Sequence, residues 1–347
     1  MNIKKNKIAD SIRELINSGQ YLPGDRFPTR ARLEEQFAVS SKTIQEAMDI
    51  LIGEGYIEPK GKRGSFVSAH PPHLTRICLL FVEDFYQACT YNRLFKAIRD
   101  ELESVGRRLH VQFEILDNAG LLKNGARIDG LLKDIEAKRI AGIFLLSDSE
   151  IFEDTPIITQ KGIARVVLGV KSEAESVIYL DYLDFYRKVA GVLSRKRLVR
   201  PLFLMDQILS YENFDEILDI LKQGGAEAVP ENIVMTNFEK PYLIENIIAL
   251  AFRCANPPDS VVLVDDNTLP AVTKKLRELG RERIPVVALA NLPYPTPADF
   301  KVTRIGFDVS TLLETATRSI LAQVNGREFP SKILIPAQIV SLHRTGG

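Results

Sequence analysis

Cysteine is scarce in this sequence: Cys78, Cys89 and Cys254 are an odd number and none stands in a C-x-x-C pair. That argues against a disulfide framework and against structural zinc, and free thiols in a reducing cytoplasm are the expectation. No apolar run reaches the roughly 18 residues of a membrane span, and the opening MNIKKNKIADSIREL is charged where a signal peptide is apolar. A cytoplasmic setting without a membrane partner is expected. Net charge is also lacking, since 45 Lys and Arg balance 45 Asp and Glu. Only the placement of basic residues, not their excess, can point to nucleic acid. Catalytic signatures are missing too: there is no G-x-G-x-x-G, Walker loop, G-x-S-x-G elbow or H-E-x-x-H. His70 and His73 have no third metal ligand nearby, and adjacent carboxylates such as Asp265 and Asp266 are common on loops. No enzyme activity, metal or cofactor is expected.

What is present is ample material for packed cores, 45% hydrophobic over 347 residues, a length suited to two or three domains. The sharpest change in composition is SAHPPHLT, Ser68 to Thr75. Two consecutive prolines there predict an extended, fairly stiff connector. The expected organisation is a small domain over 1–69, a linker over 70–75 and a large domain over 76–347.

In the small domain Ile8, Ile12, Leu15 and Ile16 repeat at helical spacing until Gly19 and YLPGD turn the chain. Thr29 is placed to cap a second helix that buries Leu33 and Phe37. Ser40 is placed to cap a third, with Ile44, Ala47, Met48 and Leu51 as its inner stripe. YIEP and SFV then read as two short strands around the basic turn KGKRG. Three helices and a two-stranded wing would present the start of the third helix to a DNA major groove. The residues expected there are Ser40, Ser41, Lys42, Thr43 and Gln45, with Arg30 and Arg32 at the preceding helix start. Lys60, Lys62, Arg63 and Gly64 form the wing tip. Gln suits bidentate contact with adenine, and Lys and Arg suit guanine or phosphate.

The segment from Ile8 to Val67 resembles the winged helix-turn-helix of GntR-type bacterial transcription regulators. The resemblance lies in its G-x-Y-x-P-G-D-R-x-P-T, V-S-x-x-T-I-x-x-A, E-G-Y-I and R-G-S-F-V motifs. It implies binding of a double-stranded operator. The chain departs from that pattern at Ser41 and Gln45, where such regulators often carry arginine, and at Ala31, where an arginine is displaced onto Arg30 and Arg32.

After residue 75, short apolar runs alternate with amphipathic stretches, the pattern of parallel sheets covered by helices. Strands are expected at Ile77 to Val82, Val111 to Leu116, Gly142 to Leu146, Arg165 to Leu168, Pro201 to Met205, Val261 to Val264 and Pro285 to Ala288. Helices are expected at Asn92 to Val105, Tyr182 to Arg195, Phe214 to Gln223, Tyr242 to Arg253 and Leu269 to Leu279. This α/β body, with two parallel sheets, is similar to the effector domain of LacI/GalR-type repressors, a periplasmic-binding-protein-like fold. The resemblance runs from about Arg76 to Arg344, best in RIAGIFLL, PDSVVLVDDNTLPAVTKKLRELG and VNGREFPSKILIPAQIVSLHR. A GntR-type head on such a body resembles the arabinose-responsive repressor subgroup.

One short recognition helix makes too few base contacts for secure discrimination, so a homodimer reading a roughly palindromic operator is expected. The resemblance implies a small-molecule effector, a sugar or sugar derivative, bound between two lobes at the carboxyl ends of strands. The residues at those ends are Asp84, Phe85, Tyr86, Ser147, Asp148, Asp206, Asn213, Asp265, Asp266 and Asn291. Carboxylates and amides suit sugar hydroxyls, and aromatic faces suit the ring. Asn213 and Asp265 replace the arginine and asparagine usual in relatives, so the sugar-binding set is altered. The alternative implied by that alteration is a body serving only dimerisation or protein interaction.

Overall fold

The computed structural model describes residues 2–117, 126–136, 139–146, 152, 155–160, 162–169, 176–206, 214–227, 232–237 and 239–340. It divides into two compact units, one of Met1–Asp84, Leu102–Val177 and Glu314–Ser331, the other of Phe85–Glu101, Ile178–Leu313 and Lys332–Gly347.

The first unit opens with helices α1 (Asn2–Asn17), α2 (Arg30–Phe37) and α3 (Ser41–Gly53), then strands β1 (Ile57–Pro59) and β2 (Ser65–Val67). Ile8, Ile12, Leu33, Ile44, Ala47, Leu51 and Tyr56 close one small core. This is the expected stripe meeting the apolar side of α1. The wing strands pair antiparallel, Ile57 opposite Val67 and Pro59 opposite Ser65. Gly64 closes the wing turn at φ 92°, a left-handed conformation open to a residue without Cβ.

The linker differs from the extended connector expected from Pro71 and Pro72. Residues Pro72–Thr75 form a helical turn, α4, with Pro71 at its N-cap. A proline at the first helical position has φ already set and lacks an N–H that would have no partner there, so the doubled proline starts a helix instead of forbidding one.

The rest of this unit carries β3 (Arg76–Leu80), the end of α6 (Arg93–Leu109), β4 (Gln112–Leu116), α7 (Ala126–Glu136), β5 (Gly142–Leu145), α8 (Pro156–Thr159) and β6 (Ala164–Leu168). Strands β4, β3, β5 and β6 lie side by side and parallel. Ile77, Leu79, Ile143, Phe144, Val166 and Val167 are buried in it, as strands covered on both faces require.

The second unit holds α5 (Phe85–Tyr91), β7 (Val177–Leu180, whose first residue belongs to the first unit), α9 (Tyr182–Lys196), β8 (Pro201–Asp206) and α10 (Phe214–Gln223). It continues with β9 (Ile233–Thr236), α11 (Pro241–Ala251), β10 (Ser260–Leu263), α12 (Leu269–Glu278), β11 (Val286–Leu292), β12 (Val302–Asp308), the start of α13 (Val309–Val324, which belongs to the first unit from Glu314 on), β13 (Lys332–Ile335) and β14 (Gln338–Val340). The described residues form two six-stranded, parallel-rich sheets, ordered β13-β7-β6-β5-β3-β4 and β14-β12-β11-β10-β8-β9. In the second, only the edge strand β14 is antiparallel to its neighbour. Gly306 of β12 lies so close to Ala290 of β11 that a Cβ would collide with that residue's carbonyl group. Leu204, Ile248, Val261, Leu263, Val272 and Leu276 form the core on one face of this sheet.

Candidate functional site

The end of the small domain expected to face DNA is built from the start of α3. Ser40 precedes it in extended backbone, and its Oγ accepts from the Thr43 N–H at 3.4 Å and lies 3.0 Å from the Thr43 hydroxyl. That side-chain acceptor satisfies one of the N–H groups that a helix start leaves open. With Ile44, Ala47 and Met48 buried, Ser41 and Lys42 are exposed. Gln45 is half-buried, and its Nε2 donates to Asp49 Oδ1 at 2.6 Å, one turn on. Glu46 is held 3.7 Å from Lys5 of α1, so this acid is offset by a base of the neighbouring helix.

Arg30 and Arg32 are exposed at the start of α2. Thr29 takes the N-cap position there, but its hydroxyl makes no capping hydrogen bond, unlike the arrangement expected from the sequence. In the wing, Lys62 and Arg63 are exposed on a 3-10 turn, Gly61–Arg63. Lys60 Nζ lies 5.1 Å from the Phe66 ring centroid and 3.8 Å from Glu58. One basic residue escaped sequence reasoning: Arg26 bridges to Phe66 of β2, and its guanidinium lies against Gly64. The signal for it was the D-R-F-P-T segment, which reads as a turn until the wing strand is placed beside it.

The recognition helix ends on a second polar feature. Arg13 of α1 is 4% exposed and donates to Glu54 Oε2 at 2.6 Å and to Asp10 Oδ1 at 2.5 Å, with its guanidinium carbon 5.6 Å from the Tyr56 ring centroid. Burial works against the charged form, but the bonds to Glu54 and Asp10 outweigh it and hold the guanidinium above its usual value. Burial also raises the Tyr56 hydroxyl well above the usual phenol range.

Of the residues expected to meet a small molecule, the second unit brings three together. Asp265 follows β10 and caps a 3-10 turn, its Oδ1 accepting from the Asn267 N–H at 2.9 Å and from Asn267 Nδ2 at 2.7 Å. Asp266 is 1% exposed. It accepts from Asn291 Nδ2 of β11 at 3.0 Å and from the Thr296 hydroxyl at 3.0 Å. Arg304 of β12, also buried, donates to the Thr296 carbonyl at 2.5 Å. Burial pushes the Asp266 carboxyl up from 3.8 to about 6, against the opposing pull of Thr296, Arg93 and Asn291. Burial lowers the Arg304 guanidinium from its usual value, and the charge of Asp266 opposes that. Thr296 and Arg304 were not anticipated, since they stand 30 and 38 residues beyond Asp266 and only the parallel strand order brings them back to it.

Phe85 is fully buried at the start of α5, edge-on to Tyr86 and tilted against Phe95 at 6.3 Å, whereas Tyr86 is 57% exposed. Asp84 is half-buried in the first unit. Asp206 ends β8 in register with Thr236. Ser147, Asp148 and Asn213 lie outside the described residues. Among the described residues no group of three or more His, Cys, Asp or Glu is arranged to hold a metal ion, and no helix is long and apolar enough to cross a membrane.

Residues 4–67 match the family of bacterial regulatory proteins, gntR family. The "Mannosyl-D-glycerate transport/metabolism system repressor MngR" of Escherichia coli (strain K12) is 38% identical over 61 residues, 18% of this chain and 25% of that protein. The chain spans about a quarter of the length of the curated relatives it matches. Solved structures resemble a larger share of the chain. The Escherichia coli transcriptional repressor ascG superposes with a TM-score of 0.58 at 15% identity, covering 77% of this chain and 97% of that one. A LacI family transcriptional regulator from Arthrobacter sp. FB24, in complex with lactose, gives 0.59 at 14% identity, covering 77% and 97%. The chain therefore joins an N-terminal domain of the gntR type to a body with the two-lobed fold of LacI-type regulators.

Proposed function

We propose that this protein is a DNA-binding transcription regulator, a repressor acting in the cytoplasm as a homodimer, whose operator affinity is set by a small carbohydrate bound by the body. In this reading residues 1–69 form the DNA reader, 70–75 the connection and 76–347 the sensor. The carrying observation is the capped start of α3, where Ser40 closes the helix and Ser41 and Lys42 stand exposed with no acid among the first residues. A helix start of this kind accepts phosphate on its open N–H groups and base edges on its first side chains. One short helix makes few base contacts, so secure reading calls for two heads on a roughly palindromic site. The solved relative with lactose bound supports a carbohydrate as the effector class. The chemistry is recognition and conformational bias, not catalysis: a ligand that prefers one arrangement of the body shifts the population of DNA-competent molecules.

A second reading has a specific observation behind it. Asp266 and Asn291 are buried and bonded to each other, and Asp266 also to Thr296. Polar groups already satisfied within the protein gain little from a sugar, and a body so built serves dimerisation or protein contact. Retention of duplex fragments from the source genome by the purified protein tests the DNA reading. A thermal-shift panel of pentoses, hexoses, sugar phosphates and sugar acids separates the two bodies, since a ligand at 100 times its Kd adds about 2.7 kcal/mol. Absence of any shift across the panel favours the second.

A further inference from the structure

Three of the four histidines of this chain stand at one seam, where the small domain meets the remainder of the first unit. The His70 ring stacks on His110 with centroids 4.8 Å apart and planes 10° apart, and the His73 ring stacks on Tyr56 at 5.9 Å and 5°. Tyr56 is fully buried and follows directly from the recognition helix, its N–H donating to Leu51 O at 2.9 Å. Pro72 lies beside Gly55. The linker between these contacts is itself tied down. The His70 N–H donates to Ser68 Oγ at 3.3 Å, the Ser68 hydroxyl donates to Glu58 at 2.7 Å, and the Thr75 hydroxyl donates to Pro71 O at 3.0 Å.

The backbone at His110 adds an independent observation, shared among the described non-glycine residues with Ala38 and Arg197. His110 follows the last residue of α6 at φ 54°, in the left-handed region, and the next N–H, of Val111, donates to Gly106 O at 2.9 Å. This is the helix-ending motif whose first residue past the cap is most often glycine, because a Cβ is strained there. At this left-handed helix end the side chain carries a ring, and the ring is stacked. The ring it meets belongs to the linker.

We propose that His70, His73 and His110 are positioning residues that latch the small domain onto the remainder of the first unit in one pose, so that paired heads read half-sites at one set separation. The inference rests on the DNA reading proposed above. A free tether would let each head adjust to several separations, whereas two ring stacks and a helical linker make α3 an extension of α6 through Tyr56, His73 and His70. Half-site spacing then becomes a property of the body.

The test uses the full chain with Cys254→Ser and spin labels at Glu35→Cys on α2 and Glu103→Cys on α6. Both positions are exposed and in the first unit. With doubly labelled chains diluted into excess unlabelled protein so that each dimer carries one labelled protomer, the latched protein is expected to show one narrow distance distribution, which broadens in His110→Gly combined with His70→Ala. His110→Gly relieves the strained backbone, so its melting temperature is expected to hold or rise while the head comes loose, a split that a merely structural role would not produce. A distribution that is broad in the starting protein, or that stays narrow in the double variant, overturns the latch. In a second arm, duplexes enriched by selection from random sequence are re-spaced by a few base pairs between half-sites. The latched protein is expected to lose retention on re-spacing, and the double variant to lose that discrimination while still holding a single half-site. Discrimination that survives in the double variant overturns the proposal. Should the starting protein retain no duplex, the DNA reading fails, and the distance arm decides the latch by itself.

Discussion

Gln45 Nε2 donates to Asp49 Oδ1 at 2.6 Å along the outer side of the recognition helix. The amide best suited to adenine is thus braced from one turn below, with its oxygen side left for other donors. Gln45→Ala is expected to relax preference at one base position by about 1–3 kcal/mol. Asp49→Ala should alter preference at that same position, because it frees the amide to turn. Binding to a panel of single-base operator variants reads both, and an unchanged profile in Gln45→Ala would place the helix in another phase.

The wing carries Lys62 and Arg63 exposed on its turn. Replacing both with Ala should weaken binding to every sequence alike and reduce the slope of log affinity against log salt by about 2, close to one for each phosphate no longer neutralised. Retention measured across a salt series tests this, and an unaltered slope removes the wing from the DNA-facing surface. Arg26→Ala should act in the same direction, because its guanidinium lies against Gly64 of that turn.

Ser40→Ala removes the cap of α3. The expected cost is about 1 kcal/mol, read as faster amide exchange at Thr43 and Ile44 with little change in the body. Exchange that stays slow would mean that the 3.4 Å hydrogen bond contributes nothing.

Arg13 is the buried member of a group in which Asp10 is exposed and Glu54 partly so. Arg13→Ala should destabilise the small domain by about 2 kcal/mol, since Glu54 is left without its guanidinium and the Tyr56 ring without its cover. Denaturant titration monitored on the small domain reads the change, and Arg13→Lys is expected to restore only part of it because one ammonium cannot span two carboxylates as the fork does.

Asp266 titrates at about 6 in the folded chain against an ordinary 3.8. The folded state therefore holds this proton more tightly, and the associated stability is present below about pH 4 and is lost as pH rises through 6, an effect of about 3 kcal/mol. Melting temperature followed from pH 4 to 7 should fall more steeply in the parent than in Asp266→Asn, which cannot ionise. Parallel curves would place the titration elsewhere.

Much of the small domain was legible in the residues themselves. Helix periodicity, the Ser40 cap and the position of two short strands are local properties, and Ile44, Ala47, Met48 and Leu51 are buried as their spacing requires. Phe214–Gln223 forms over its expected span for the same reason. In the body, β12 escaped notice because V-T-R-I-G-F-D carries Arg304 and Gly306 where a buried strand is expected to be apolar throughout. Arg304 is buried against the Thr296 carbonyl, and Gly306 admits the Ala290 backbone. Strands β7, β9, β13 and β14 were likewise not anticipated.

Taken alone, the chain of residues determined the order of elements, the α/β character of the body and the residue types at the recognition end, because capping, periodicity and turn chemistry act over a few residues. Tertiary structure alone decided which distant groups meet: Arg13 with Glu54, Asp266 with Asn291 and Thr296, His70 with His110. Those pairings depend on which faces pack and on strand order, and a buried charge or a strained backbone is stabilised only by neighbours that folding brings from 25 to 41 positions away.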